Sequence, residues 1–348
     1  MPAPERSLTL FFALLLLLAG CSGPSPEKAA GAPARLELLN VSYDPTRELW
    51  RDLNEAFVPL YKAETGVDLE IKQSHAASGS QARAIIDGLE ADVATLSLWP
   101  DTDALRKQGL LREGWDDGLP NRSLPYTSTV VFVVRKGNPK AIKDWGDLVR
   151  PGTEIITPNP KTSGNGRLSL LAAWGSVVLR GGSEADAREL LRKLYLQVPV
   201  LDTGARGATT TFAQKGIGDV HLAMESEAYL EVQESKGAVE IVYPSISILH
   251  EPHMTVVDKV VDQKGTRNAA EAYLKFLYTP AGQEIIAKHF FRPTDPDILA
   301  KHAGQFPTIE LFPLSKISGS WDEAQKTFFA EGGIFDQIYH PASRGADK

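Results

Sequence analysis

The sequence has little with which to crosslink itself or to attract polyanions. Cys21 is the single cysteine among 348 residues, so no intrachain disulfide forms and the fold must be held by packing. The chain has no long basic block, and its formal net charge is −7 at pH 7. Because nucleic-acid binding requires clustered lysine and arginine, this composition argues against a nucleic-acid partner. The same acidic balance repels anions at long range, so an anion site would have to work through local dipoles.

Signatures of common catalytic and metal sites are missing as well. The chain has no Gly-x-Ser-x-Gly elbow, no His-Glu-x-x-His pair and no Walker sequence. His250 and His253 lie three residues apart, but Pro252 breaks any shared helix face, so we expect an exposed loop rather than a metal site. We therefore expect no catalysis, no cofactor and no metal. The rival hypothesis is an enzyme whose Ser-Gly loops hold a phosphate while Asp44 or Glu225 acts as the base.

The amino-terminal apolar run, which follows Arg6, is shorter than the ~20 residues that span a bilayer comfortably. It is typical of a signal peptide and ends in Leu-Ala-Gly-Cys, which matches the bacterial lipobox. We therefore predict a lipoprotein signal peptide over residues 1–20, a lipidated Cys21 and a flexible tether over 21–35. The protein would lie in the periplasm or at the cell-envelope surface, attached to the membrane by lipid only. A structural cysteine beside a transmembrane helix is the alternative.

After this segment, short β-rich runs alternate with helical patterns, and no short repeat appears. The first long helical pattern carries Leu49, Leu53, Phe57 and Leu60 on one stripe. Strands separated by helices favour parallel pairing in an α/β fold. The long β-rich run 126–135 is a candidate for a strand that leaves one lobe for another.

Three turns combine small residues with hydroxyls directly before a helical pattern. They are SHAASGSQAR (74–83), PNPKTSGNGR (158–167) and LDTGARGATTT (201–211). In open α/β sheets, ligands bind beyond the carboxyl ends of the strands, and glycine-rich turns that open helices often hold anions. A single Ser-Gly turn is more often only a helix cap. Three of them in corresponding positions favour a shared site.

At these residues the sequence resembles the periplasmic sulfate- and thiosulfate-binding proteins of ABC importers. The likeness runs from about Leu38 to about Ile338. The matching segments are LLNVSYDPTREL, QSHAASGSQA, DGLEADVATL, PYTSTVVFVVRKGNPK, DWGDLV, TPNPKTSGNGR, LAAWG, LDTGARGATTTFA, GIGDV and GGIFDQI.

The resemblance implies a two-lobed α/β protein with the type II periplasmic-binding-protein fold and a hinge between the lobes. Such a monomer would close on a tetrahedral oxyanion and deliver it to an ABC permease. Lobe 1 would comprise residues 36–127 and 247–340, and lobe 2 residues 128–246. Residues 341–348 would form a disordered tail.

The family pattern also assigns ligand contacts, all of them uncharged donors. The donors would be Ser78, Ser163, Gly164, Asn165 and Ala205. The two serines would offer hydroxyls, and the other contacts would be backbone N–H groups, including that of Ser78. Asp44 and Arg206 would support the site through hydrogen bonds to its peptide groups.

Met224 departs from the sulfate-binding pattern. The resemblance places a tryptophan there, whose indole N–H would donate to the ligand, whereas a thioether cannot donate. The thiosulfate-binding branch also has a non-donor, followed by Glu-Ser-Glu as in this chain. A methionine could pack against the larger sulfur of thiosulfate, or it could be a core residue that leaves sulfate with one donor fewer. We therefore expect both anions to bind, without ranking them, and keep phosphate and molybdate as alternatives.

A second departure lies in the first of the three turns. Ala76 and Ala77 stand where the family usually has glycine, which would stiffen the turn. The sequence leaves open whether Ser80 adds a hydroxyl to the site.

Overall fold

The computed structural model describes residues 35–339. The predicted signal peptide, Cys21 and the predicted tail 341–348 lie outside these residues. So does the predicted tether apart from Arg35, which begins the first strand. Within the described part of the chain, no helix combines the length and the apolar character that crossing a bilayer would need.

The regular elements alternate along the chain. The strands are β1 (Arg35–Tyr43), β2 (Asp68–Ala76), β3 (Val93–Thr95), β4 (Tyr126–Arg135), β5 (Ile155–Pro158), β6 (Leu201–Asp202), β7 (Val220–Met224), β8 (Val239–Val242), β9 (Ile246–His250), β10 (Thr255–Val256), β11 (Arg292–Pro293) and β12 (Glu310–Phe312). The helices are α1 (Arg47–Thr65), α2 (Ser78–Ile86), α3 (Trp99–Lys107), α4 (Pro120–Ser123), α5 (Gly164–Val178), α6 (Glu184–Leu196), α7 (Ala205–Thr209), α8 (Glu225–Glu234), α9 (Asp258–Lys264), α10 (Arg267–Phe276), α11 (Pro280–Lys288), α12 (Pro296–Lys301), α13 (Trp321–Ala324) and α14 (Ile334–Ile338). Short 3-10 turns cover Asp44–Thr46, Trp115–Asp117, Trp145–Val149 and Leu314–Lys316, and π turns cover Thr210–Gln214 and Gln325–Phe329.

The first lobe is built on a sheet of order β10-β3-β1-β2. Strands β1, β2 and β3 pair in parallel, as predicted, because α1 and α2 carry the chain back between them. Helix α1 buries Leu49, Leu53 and Phe57 against this sheet, but Leu60 is 48% exposed. The predicted stripe is wrong at that position. A spacing of four residues continues the stripe to Tyr61, which is buried.

The second lobe holds the larger sheet, of order β12-β9-β4-β7-β5-β6. Parallel pairing was expected throughout, and it holds for β5 with β6 and β7 and for β12 with β9. Strand β4 instead pairs antiparallel with β7, β8 and β9. It enters this sheet from the first lobe and not through a helical crossover within the sheet, so the rule that predicts parallel pairing does not apply to it.

Strand β4 joins the two lobes, as predicted. Tyr126 at its start packs in the core of the first lobe, whereas Val130 and Phe132 pack in the core of the second. The predicted boundary at the carboxyl-terminal side needs a correction. Strand β12 pairs with β9, and the hydrophobic residues from Phe312 to Phe335 pack in the second core. Residues 310–338 therefore belong with the second lobe, a pairing over long sequence distance that no local pattern indicated.

His250 and His253 are buried, so the predicted exposed loop is wrong. His250 is 0% exposed, and its Nε2 atom lies 2.7 Å from the carbonyl oxygen of Ser97. His253 is 6% exposed, and its Nδ1 atom donates to the carbonyl of Glu251 at 3.0 Å. Burial lowers the pKa of each imidazole from 6.5 to about 4.

We expect these two imidazoles to cost stability as the pH falls from about 6.5 to about 4. Their pKa in the folded state lies below the unfolded value, so the unfolded chain takes up protons first, and each unit of difference costs ~1.4 kcal/mol. Urea unfolding at about pH 7 and about pH 5 should show a smaller loss of unfolding free energy in the variant His250→Gln/His253→Gln than in the parent chain. An equal loss in both proteins would contradict this expectation.

Candidate ligand-binding site

A small, largely buried cavity lies between the two lobes, where several helices begin. Its lining residues are Tyr43, Asp44, Pro45, Ala77, Ser78, Ser97, Ser163, Gly164, Asn165, Ala205 and Met224. The structure thus brings together all three predicted turns. Every residue predicted as a direct contact lies on this cavity, and so does Asp44.

Helix amino termini form most of the cavity wall. Helix α2 begins at Ser78 in the first lobe, and α5 and α7 begin at Gly164 and Ala205 in the second. Helix α8 begins directly after Met224. The first amides of a helix have no partner within the helix, and the helix dipole is positive at that end. The cavity therefore combines unpaired N–H groups and positive dipole ends from both lobes.

Two serine hydroxyls are oriented so that their protons remain uncommitted. The Oγ atom of Ser78 accepts from the backbone N–H of Ser97 at 3.0 Å. The Oγ atom of Ser163 caps α5 by accepting from the N–H of Gly166 at 3.4 Å. Because each oxygen acts as an acceptor in these bonds, its O–H group is left to donate elsewhere.

Glycines allow the backbones of the two lobes to approach closely at the cavity. A Cβ atom on Gly164 would lie 2.6 Å from Ser97 Oγ, and one on Gly204 would lie 2.7 Å from an oxygen of Asp44. A Cβ on Gly79 would lie 3.1 Å from the guanidinium of Arg167. In each case a residue of one lobe meets a residue of the other. A side chain at Gly164 would hold the lobes apart, because the Cβ atom of Ser97 also lies 2.8 Å from that position.

A buried ion pair joins the lobes beside the cavity. Arg167 of α5 binds both carboxylate oxygens of Asp101 of α3, at 2.8 and 3.1 Å, and both side chains are at least nine-tenths buried. Removing one partner of a buried pair leaves the other charge uncompensated. Because Arg167 and Asp101 lie on different lobes, we expect the pair to form only when the lobes are together.

Arg206 is placed differently from the prediction. It does not line the cavity, and its guanidinium contacts two carboxylates, those of Glu48 in the first lobe at 3.0 Å and Glu227 in the second at 3.2 Å. Burial raises the pKa of Glu227 to about 7, against the opposing effect of Arg206. The long arginine side chain thus reaches neighbouring carboxylates instead of the peptide groups of the turn.

Asp44 stands at the cavity edge, where burial raises the pKa of its carboxyl and Arg47 and Arg206 oppose that effect. Ser80 is exposed and lines an outer groove between the lobes, together with Gly79 and Asp101, so its hydroxyl is not part of the cavity.

Ser97, which was not predicted from the sequence, is 2% exposed and lines the cavity. It follows β3, one of the parallel strands of the first sheet, and its turn leads into α3. Its position beyond the carboxyl end of a strand could have indicated a ligand contact. Its apolar neighbours Leu96 and Leu98 give residues 93–99 the pattern of one longer strand, in which Ser97 would be an interior residue.

The family model for bacterial extracellular solute-binding proteins matches residues 50–292. The sulfate-binding protein of Escherichia coli (strain K12) is 53% identical over 305 residues, which cover 87% of this chain and 93% of that protein. The thiosulfate-binding protein of Pseudomonas aeruginosa is 50% identical over 332 residues, which cover 95% and 98%. The solved structure of the sulfate-binding protein SubI from Mycobacterium tuberculosis H37Rv is 32% identical with a TM-score of 0.77, and the match covers 84% of this chain and 99% of that chain.

These matches extend over both lobes, and they confirm the periplasmic-binding-protein fold predicted from the sequence. The chain therefore belongs to the bacterial extracellular solute-binding proteins, in the group that contains the sulfate-binding and thiosulfate-binding proteins.

Proposed function

We propose that this protein captures sulfate or thiosulfate in the cavity between its lobes and delivers the anion to an ABC-type permease. The observation that carries the proposal is the convergence of the starts of α2, α5 and α7 on one cavity whose lining contains no lysine or arginine. The relatives named for these two anions, at 53% and 50% identity, support the ligand class.

A site made of hydrogen-bond donors suits a fully ionised dianion, which can only accept. Each hydrogen bond to a charged group contributes ~1.5–3 kcal/mol. Micromolar affinity needs a net free energy of only about −8 kcal/mol. The amides of Ser78, Gly164, Asn165 and Ala205, with two serine hydroxyls, are therefore enough even after the cost of bringing the lobes together and removing water.

Phosphate fits such a site less well because it keeps a proton near neutral pH. Its O–H would need an acceptor, and an unsatisfied buried donor costs ~1–3 kcal/mol. The expected weaker binding of phosphate therefore requires that Asp44, the one carboxylate on the cavity wall, does not accept this proton. Phosphate and molybdate remain outcomes of the binding test.

Met224 gives the cavity one soft, apolar contact. It is 1% exposed and belongs both to the cavity lining and to the core of the second lobe. Its thioether offers no donor to a sulfate oxygen but can contact the terminal sulfur of thiosulfate. Because a thioether stands where a donor could stand, sulfate would form one hydrogen bond fewer. We therefore assign both ligands without ranking them.

The rival role of an enzyme base is not supported at Glu225. Both of its carboxylate oxygens are bound by Arg292, each at 2.8 Å, and the side chain is 0% exposed. A carboxylate held in this way is a structural partner of an arginine and is not available to take a proton from a ligand.

Capture would proceed by closure of the lobes over the anion. The tight contacts of Gly79, Gly164 and Gly204, with the Arg167–Asp101 pair, form only across the closed cleft. Because the donors are divided between the lobes, an anion binds all of them only in this state, and its binding energy favours closure.

We further propose that the chain is exported as a lipoprotein, anchored through Cys21 in the periplasm or at the envelope surface, and works as a monomer. The lipobox and the proline-rich tether support the export and the lipid anchor.

Calorimetry on the soluble chain without its signal peptide should show binding of sulfate and of thiosulfate. Phosphate should bind about fivefold to a hundredfold more weakly because of its unpaired proton. Molybdate completes the panel. Lack of binding of both sulfate and thiosulfate would contradict the proposed function.

Replacement of Gly164 by valine should weaken sulfate and thiosulfate binding about fivefold to a hundredfold, since overpacking costs ~1–3 kcal/mol. The new side chain would meet Ser97 across the cleft and prevent closure, while each lobe stays folded. Gly146→Val is the matched control, because a Cβ there has no atom within 4 Å. Unchanged affinity in Gly164→Val, with a normal melting temperature, would refute the placement of Gly164 at the ligand.

Expression of the full-length chain in a bacterial host should place it in the detergent-soluble membrane fraction and incorporate labelled fatty acid. The variant Cys21→Ser should lose both properties because lipidation requires the thiol. Recovery of the parent chain in the aqueous fraction without label would refute the lipid anchor.

A further inference from the structure

Ser97 lines the cavity but is not among the predicted donors. Its side chain faces Gly164 across the cleft, since a Cβ atom on that glycine would lie 2.6 Å from Ser97 Oγ. Its backbone N–H donates to Ser78 Oγ at 3.0 Å. Ser97 therefore lies between two residues whose amides are assigned to the anion, one in each lobe.

His250 lies directly behind Ser97 and contacts it twice. Its Nε2 atom is 2.7 Å from the carbonyl oxygen of Ser97 and 3.1 Å from its Oγ atom. The imidazole is fully buried, and the ring of Tyr43, another cavity residue, packs edge-on against it with the ring centroids 5.8 Å apart.

These distances determine the tautomer of His250. A carbonyl oxygen only accepts, so a contact of 2.7 Å requires the proton on Nε2. The opposite tautomer would place a lone pair against that carbonyl and a buried N–H on Nδ1, an atom that has no partner in the structure. Burial also lowers the pKa of the imidazole to about 4, so the ring is neutral at ordinary pH.

The tautomer in turn determines what the hydroxyl of Ser97 can do. With its proton on Nε2, the imidazole offers no lone pair to Ser97, so the hydroxyl cannot donate to it. The Oγ atom accepts weakly from the same N–H, and its own proton is left without an acceptor among the described residues. Ser97 is 2% exposed and lines the cavity, so an anion bound there would be an acceptor within the site.

We propose that the Ser97 hydroxyl is an additional donor to the bound oxyanion and that His250 is the positioning residue that fixes its orientation; this inference rests on the proposed function. The imidazole holds the Ser97 carbonyl and hydroxyl through one N–H group. It supports the site without adding a positive charge, so the cavity keeps its character of neutral donors.

The first test is Ser97→Ala, measured by calorimetry with sulfate and with thiosulfate. Loss of one hydrogen bond to a charged group should raise Kd about tenfold to a hundredfold. Ser128→Ala is the matched control, since Ser128 is also fully buried, pairs with His250 in the sheet and lies off the cavity. Its affinity should equal that of the parent chain.

The second test separates positioning from a general structural role. His250→Gln can retain an N–H donor to Ser97 and should bind more tightly than His250→Leu, which cannot. In the Ser97→Ala background, His250→Leu should cost less affinity than it does in the parent chain, because the hydroxyl that His250 orients is already absent. Melting temperatures of the ligand-free variants verify folding, and His250→Gln with Ser97→Ala remains informative if His250→Leu does not fold.

The outcomes discriminate between the two levels of the proposal. A parent chain that binds neither anion contradicts the proposed function and with it the donor role of Ser97. A parent chain that binds, together with unchanged affinity in Ser97→Ala, overturns the donor role alone. Equal cost of His250→Leu in both backgrounds overturns the positioning role of His250.

Discussion

The structure depends on bringing unpaired backbone amides from two lobes to one small cavity. An amide can approach so closely only where no side chain intervenes, which is why Gly79, Gly164 and Gly204 lie on the facing surfaces. The parallel strands of each lobe deliver helix starts to the same edge of their sheet. The parallel order of the strands therefore determines both the fold of each lobe and the position of the cavity.

The arginines near the cavity contact carboxylates of the protein and do not line the cavity wall. Arg167 pairs with Asp101 across the cleft, and Arg206 lies between Glu48 and Glu227, so the arginines are neutralised by carboxylates of the protein. An arginine on the cavity wall would bind divalent anions of many shapes. Because both arginines are paired with carboxylates, recognition of the proposed anion is left to helix dipoles and hydroxyl groups. Their hydrogen bonds have defined directions, so they would select the geometry of the anion more strictly.

Local patterns in the sequence located the three turns, because hydroxyls and glycines before a helix have a direct physical meaning there. The roles assigned to individual residues came from the family resemblance, and the structure places those residues on one cavity, except for Arg206. The features that the sequence did not predict depend on contacts between distant parts of the chain. The pairing of β12 with β9, the antiparallel pairing of β4 and the burial of His250 all depend on partners more than sixty residues away in the chain. Ser97 was missed because its strand ends earlier than its apolar neighbours suggest.

The use of backbone amides limits how evolution or an engineer can retune this receptor. The amides of Gly164 and Ala205 are main-chain groups, so proline is the only substitution that would remove them. In the proposed site, ligand preference would therefore change through the side chains that line the cavity, of which Met224 is one. Libraries confined to such positions would explore nearly all the chemical diversity that this scaffold permits.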